Sequence, residues 1–171
     1  GHVFTNMMAF KTDGTMWTAG TNGYGELGIG SRTQYSSPKQ VPGTTWKAGV
    51  NNDNWAGATK TDGTLWTWGR NGQGQLGQND SHSPGPDSKL DPTQVPGTTW
   101  DTLQAAGSQT AFANKTDGTV WSWGGNNYGV LGLNQPQPTK LSSPTQIPGT
   151  TWTSFTRNGS GGAAANLLTS A

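Results

Sequence analysis

The chain has 171 residues, of which 27 are Gly and 10 are Pro, and only 29% are hydrophobic; a balance this rich in turn formers excludes long helices. Nine Trp and a charged fraction of 11% exclude a highly charged disordered chain, so large aromatics supply the core. The net charge of +1, from singly scattered Lys and Arg, and the absence of Cys exclude a phosphate-neutralising stripe, disulfides, thiolate metal sites and thiol nucleophiles.

The opening residues, GHVFTNMMAF from Gly1, lack the basic and apolar regions of a signal peptide. No apolar run approaches the roughly 20 residues that span a bilayer. The chain therefore reads as soluble, with no membrane insertion, and as trimmed or internal to a longer product. From Val3 the segment VFTNMMAFKTDG leads into an Asp-Gly pair, Asp13 and Gly14, which predicts a hairpin because Gly accepts positive φ. The next strand carries Trp17 and runs into TNGYGELG, a Gly-rich turn that ends on Leu27. This turn resembles a phosphate loop only superficially, since no Lys-Ser or Lys-Thr follows it. PGTTW from Pro42 then predicts a turn into the last strand of the unit, with Trp46 packed beneath the hairpin.

The same signatures recur in order. KTDGT begins at Lys11, Lys60 and Lys115, spaced by 49 and then 55 residues, and PGTTW begins at Pro42, Pro96 and Pro148, spaced by 54 and then 52. The turns Asp62-Gly63 and Asp117-Gly118, the strand pairs Trp66/Trp68 and Trp121/Trp123, the plugs Leu76 and Leu131, and the Trp100 and Trp152 that follow them repeat the first unit. Residues two apart on a strand share a face, so Trp66 and Trp68 point one way and Thr67 the other. An insertion from Asn79 lengthens the second unit and reads as a solvent-facing loop. A single repeat domain over 1–171 follows, with units 3–50, 51–106 and 107–158.

The end of the chain reads as a fragment of a fourth unit. GSGGAAANLLTS from Gly159 aligns with GSQTAFANKTDG from Gly107, making 159–171 a starting strand without its hairpin. Ala163, Ala164 and Ala165 suit a closely approached backbone, and Leu167 with Leu168 would anchor it. An unpaired edge invites another chain, so this segment is expected to dock on a second copy or a larger assembly.

Catalytic constellations are sparse. His2 lies in the terminus and His82 in the insertion, Glu26 is the only Glu, and Asp13, Asp62 and Asp117 are explained as turn residues. The Asn51–Asn54 cluster lacks the spacing of a calcium loop. The expectation is no catalytic residue, no metal, no cofactor and no nucleic-acid partner.

The pattern KTDGTLWTWGRNGQGQLG from Lys60, with SSPTQIPGTTW from Ser142, resembles the regulator of chromosome condensation repeat family from about Phe4 to Phe155. That resemblance implies an all-β fold of three tandem four-stranded propeller-type blades, incomplete as a closed propeller in one chain. The family's founding members form seven-bladed propellers that act as nucleotide exchange factors for the GTPase Ran on chromatin. This sequence carries neither a basic tail nor an acidic cluster to match that activity. The TDGT and GTTW variant is similar to the bacterial and bacteriophage branch. The implied role is a non-enzymatic structural or assembly module with protein partners, self-association among them, on a virion or cell surface. The alternative is a glycan- or host-surface-binding module using Tyr24, Tyr35 or Tyr128, and a polysaccharide hydrolase stands third.

Overall fold

The computed structural model describes residues 6–80, 88–136, 139–158 and 164–169, with residues 153–158 and 164–169 as strand backbone. None of the described residues is helical. Among the described residues, thirteen strands form four consecutive antiparallel sheets that do not close into a ring.

The first sheet has three described strands in the order β1 (Asn6–Phe10), β2 (Met16–Gly20) and β3 (Tyr35–Val41). The second is β4 (Trp46–Asn51), β5 (Trp55–Lys60), β6 (Leu65–Arg70) and β7 (Ser88–Val95). The third is β8 (Trp100–Ala106), β9 (Thr110–Lys115), β10 (Val120–Gly125) and β11 (Lys140–Gln146). The fourth contains β12 (Trp152–Asn158) and β13 (Ala164–Thr169).

One expectation about strand order is corrected here. The PGTTW strands do not finish the unit that precedes them; β4 and β8 are the first strands of the next sheet, paired with β5 and β9. The turn before each one forces the crossing. Trp46 N donates to Gly14 O at 3.0 Å and Trp100 N to Gly63 O at 2.9 Å, so each first strand starts against the preceding hairpin loop and then leaves it. Thr45, Thr99 and Thr151 each adopt φ 67° in these turns, a left-handed conformation that is strained for a β-branched residue.

The Asp-Gly loops form as three-residue hairpins. Lys60 N donates to Thr64 O and Gly63 N to Lys60 O, while Gly63 takes φ 79°, the geometry in which a turn is followed by a left-handed bulge residue. The C-terminal segment is also corrected: β13 is not an unpaired strand, since it pairs antiparallel with β12 of the same chain.

The core lies between sheets. Trp46, Ala56, Ala58 and Trp68 of the second sheet pack on Met16 and Val41 of the first. On the opposite face of the second sheet, Trp55, Leu65, Leu76 and Val95 pack on Trp100, Ala111, Ala113 and Trp123 of the third. The pairs Ala56–Trp68 and Ala111–Trp123 sit directly across neighbouring strands, so a small residue makes room for each indole.

Candidate functional site

The Gly-rich loops are joints between sheets. In the first, the buried Asn22 accepts a hydrogen bond from Leu27 N at 3.0 Å and donates to Ser31 O and Thr33 O. Asn71 and Asn126 accept from Leu76 N and Leu131 N in the same way, each at 3.1 Å. Thr18, Thr67 and Ser122 each donate to the carbonyl of the plug leucine of their unit. Leu27, Leu76 and Leu131 are fully buried by this arrangement.

The next sheet then locks onto the loop. Trp68 Nε1 donates to Glu26 O and Trp123 Nε1 to Gln75 O, both at 2.9 Å. A Cβ on Gly28 would lie 2.8 Å from Trp68 Nε1, and one on Gly77 2.7 Å from Trp123 Nε1. The glycines are therefore required by the approach of the indoles as well as by their positive φ. Glu26 is buried, and its Oε2 accepts from Tyr24 N at 2.7 Å, as Gln75 Oε1 accepts from Gln73 N at 2.8 Å.

A second motif repeats at the other end of the strands. Lys60 Nζ sits 4.6 Å from the Trp46 ring centre and 4.5 Å from that of Trp66, and Lys115 is placed at the same distances over Trp100 and Trp121. Trp46 and Trp66 meet edge to face at 6.4 Å, Trp100 and Trp121 at 5.9 Å. In the first sheet Lys11 covers Trp17 alone, at 4.2 Å. Trp17, Trp66, Trp121 and Trp152 are half-buried, whereas Trp46, Trp68, Trp100 and Trp123 are buried. The ammonium covering explains the partial exposure of the first three, since a cation over a ring face stabilises it without excluding water.

Asp13, Asp62 and Asp117 each accept from the backbone N and the hydroxyl of the Thr two residues on. That Thr hydroxyl in turn accepts the indole N–H of Trp17, Trp66 or Trp121. Hydrogen bonds from Thr hold all three carboxyls below the ordinary value of 3.8, with the nearby Lys adding to the effect.

The exposed large apolar side chains among the described residues are Met7 at 42%, on β1 of the first sheet, and Tyr128 at 82%, on the loop that follows β10 of the third. Met7, Ala9, Lys11, Trp17 and Pro38 line an apolar groove of about 340 Å³ on the outer face of the first sheet. Tyr128 stands on the third Gly-rich loop, beside a groove of about 340 Å³ that also holds Asp53, Gln109 and Asn127. Arg70 of the following sheet covers the matching Tyr24 at 5.1 Å, and Lys39 covers Tyr35 at 4.8 Å. Gly132 is exposed where Gly28 and Gly77 are buried under an indole.

No cluster of three or more His, Asp or Glu that could hold a metal occurs among the described residues. His2, His82 and Ala163 lie outside them, while Ala164, Ala165, Leu167 and Leu168 lie on β13. Sequence reasoning missed the buried Trp55 and Phe112, whose equivalents across the sheets differ in type. It also missed Asn22, Asn71 and Asn126, whose recurrence in register was available as a signal.

Solved structures share this architecture. Prp20p from Saccharomyces cerevisiae, described with its binding properties to Gsp1p and histones, superposes with a TM-score of 0.72 at 18% identity, covering 85% of this chain and 36% of that one. Yeast RCC1 (Prp20) bound to Kap60 gives 0.72 at 21% identity over 85% and 35%, and human WBSCR16 gives 0.70 at 22% over 84% and 35%. The chain thus spans about a third of the length of these structures. No curated protein matches it in sequence. The family model for the regulator of chromosome condensation (RCC1) repeat matches residues 13–48, 62–113 and 117–162, and the chain belongs to the RCC1 repeat family.

Proposed function

We propose that this chain is a non-enzymatic module of RCC1 repeats that holds protein partners through the exposed apolar surfaces of its first sheet and its third Gly-rich loop. The observation that carries this reading is the location of the exposed apolar groups: Met7 beside Trp17 in the groove of the first sheet, and Tyr128 on the third Gly-rich loop. Between them, the faces on which neighbouring sheets pack are filled by Trp, Leu, Ala, Val and Met. Large apolar side chains left in water at defined positions favour association. A surface or virion setting follows from the likeness of the TDGT and GTTW repeat variant and is part of the same proposal.

Lysine cross-linking of the native assembly tests it. Lys11 lines the groove of the first sheet, Lys39 covers Tyr35 of the same sheet, and Lys140 pairs with Gly125 of the groove beside Tyr128, whereas Lys47 bonds Asp101 and Lys60 and Lys115 cover Trp pairs. Cross-links to partners through Lys11, Lys39 and Lys140 are expected; cross-links confined to Lys47, Lys60 and Lys115 would remove the basis for the reading. The glycan alternative keeps one specific support, the uncovered Tyr128 ring beside Asp53, Gln109 and Asn127. Saturable binding on a glycan array, lost in Tyr128→Ala, is the outcome that would favour it.

A further inference from the structure

Two equivalent crevices open where one sheet passes into the next. The first holds Trp46, Lys60 and Trp66 with Gly43 and Pro92; the second holds Trp100, Lys115 and Trp121 with Gly97 and Pro144. Their volumes are about 380 and about 390 Å³, within the range of pockets that take small ligands.

In each crevice two donors converge on the glycine of the Pro-Gly turn. A Cβ on Gly43 would lie 3.5 Å from Lys60 Nζ and 3.6 Å from Trp46 Nε1; one on Gly97 would lie 3.6 Å from Trp100 Nε1 and 3.8 Å from Lys115 Nζ. The indole N–H groups of Trp46 and Trp100 are buried and have no acceptor among the described residues. Neither lysine belongs to the ion pairs of the described residues, which join Lys47 to Asp101 and Lys89 to Asp80. The carboxyls that feel the two lysines, Asp62 and Asp117, are engaged by Thr64 and Thr119. An ammonium and an indole N–H beside one small residue suit an acceptor that carries negative charge, and a carboxylate is such a group.

The rims of the two crevices differ. Gly30 N donates to Leu90 O and Asn79 N to Ser142 O, so Gly30 and Asn79 hold one place in the repeat, and Asp91 and Ser143 hold another. In the first crevice the carboxyl of Asp91 stands on the wall with Lys60 and opposes a second negative charge. No carboxyl lines the second crevice among the described residues. There the Ser143 hydroxyl donates to Asn79 Oδ1 at 2.8 Å, which leaves the exposed Asn79 amide N–H groups to donate.

We propose that the crevice of Trp100, Lys115 and Trp121 binds a sugar acid, with its carboxylate on Lys115, its hydroxyls on Asn79 and Ser143, and its ring against the apolar walls of Trp121 and Pro144. A peptide added as a strand suits the place less well. The β11 edge carries Pro144, and Ser142 O is already taken by Asn79 N. The crevice shares no residue with the groove beside Tyr128 or with the groove of Met7, so it is a site separate from both surfaces of the protein-binding reading.

Calorimetric titration of the chain with trigalacturonate and with sialyllactose at low salt tests this, galactotriose and lactose serving as uncharged controls. At least one of the acids is expected to bind saturably at one site per chain, about tenfold or more tighter than its control. Lys115→Met, which keeps an apolar stem over the indoles, should lose that margin, whereas Lys60→Met and Tyr128→Ala should keep it. Gly30→Asn/Asp91→Ser gives the first crevice the rim of the second, at a left-handed position that Asn tolerates, and should raise the stoichiometry from one to two. The indole proton resonance of Trp100 should move on binding in the wild type while that of Trp46 stays. Failure of both acids to bind, equal losses from Lys60→Met and Lys115→Met, or equally tight binding of a hexaglutamate peptide would overturn the assignment. So would a stoichiometry that stays at one or a Trp100 resonance that does not move, and these two readings decide even where Lys115→Met does not fold.

Discussion

Trp68 shows how one residue type takes two roles in this molecule. Its indole is fully buried between sheets and donates to Glu26 O, whereas Trp17 lies half-exposed under Lys11. Replacing Trp68 by Ala opens a cavity and is expected to cost about 3–5 kcal/mol in urea unfolding; Trp17→Ala, which removes partly exposed surface, should cost about 1–2 kcal/mol. Equal costs would mean that the sheets do not pack on Trp68 as described. The turn carboxyls act at the same scale through charge. Asp62 is held below its ordinary value by hydrogen bonds from Thr64, so the ionised form is favoured by folding. Its contribution is present above the unfolded-state value of 3.8 and is lost as pH falls through the lower folded-state value. Acid titration of stability should therefore show a decline below about pH 4, shallower in Asp62→Asn; an unchanged slope in that variant would remove Asp62 from the acid limb.

At the scale of the element, the Gly-rich loop is defined by what the following sheet presses onto it. Gly77 and Gly132 have the same φ of 67° and the same place in their repeats, so backbone strain from Ala is common to both, about 1 kcal/mol. Only Gly77 lies against an indole, with a Cβ position 2.7 Å from Trp123 Nε1; for Gly132 the nearest atom is 3.8 Å away, on Ile147. Gly77→Ala should thus cost at least about 2 kcal/mol more than Gly132→Ala, because the indole must shift and release its bond to Gln75 O. Guanidinium unfolding of the two variants checks this. Similar losses would show that the joint tolerates displacement.

At the scale of the whole molecule, among the described residues the second sheet is covered on both faces, by the first and by the third. Repeat arrays of this kind are stabilised by neighbour contacts, so their ends open before their middle. Amide exchange should be slowest in β5, β6, β9 and β10, and faster by about a hundredfold or more in β1 and β13. Uniform protection along the chain would overturn this ordering.

The hairpins, the sharing of one face by Trp66 and Trp68, and the number of repeats were legible because each is local. Asp-Gly forces a loop, alternation sets the face, and recurrence in register sets the unit. The partner of each PGTTW strand was not legible, since the turn residues say that the chain reverses but not which edge it reaches. That choice is made by Trp46 N finding Gly14 O and by an indole finding the cavity above a Leu-Gly pair. Trp55 illustrates the same limit: its counterparts are Asn6 and Thr110, so no periodicity marks it, and only the packing of two sheets buries it. Composition and periodicity by themselves determined an all-β repeat with an aromatic core. Tertiary structure decided which sheet each strand joins and which of its faces are covered, because those outcomes depend on contacts between residues about fifty positions apart whose pairing no local preference encodes.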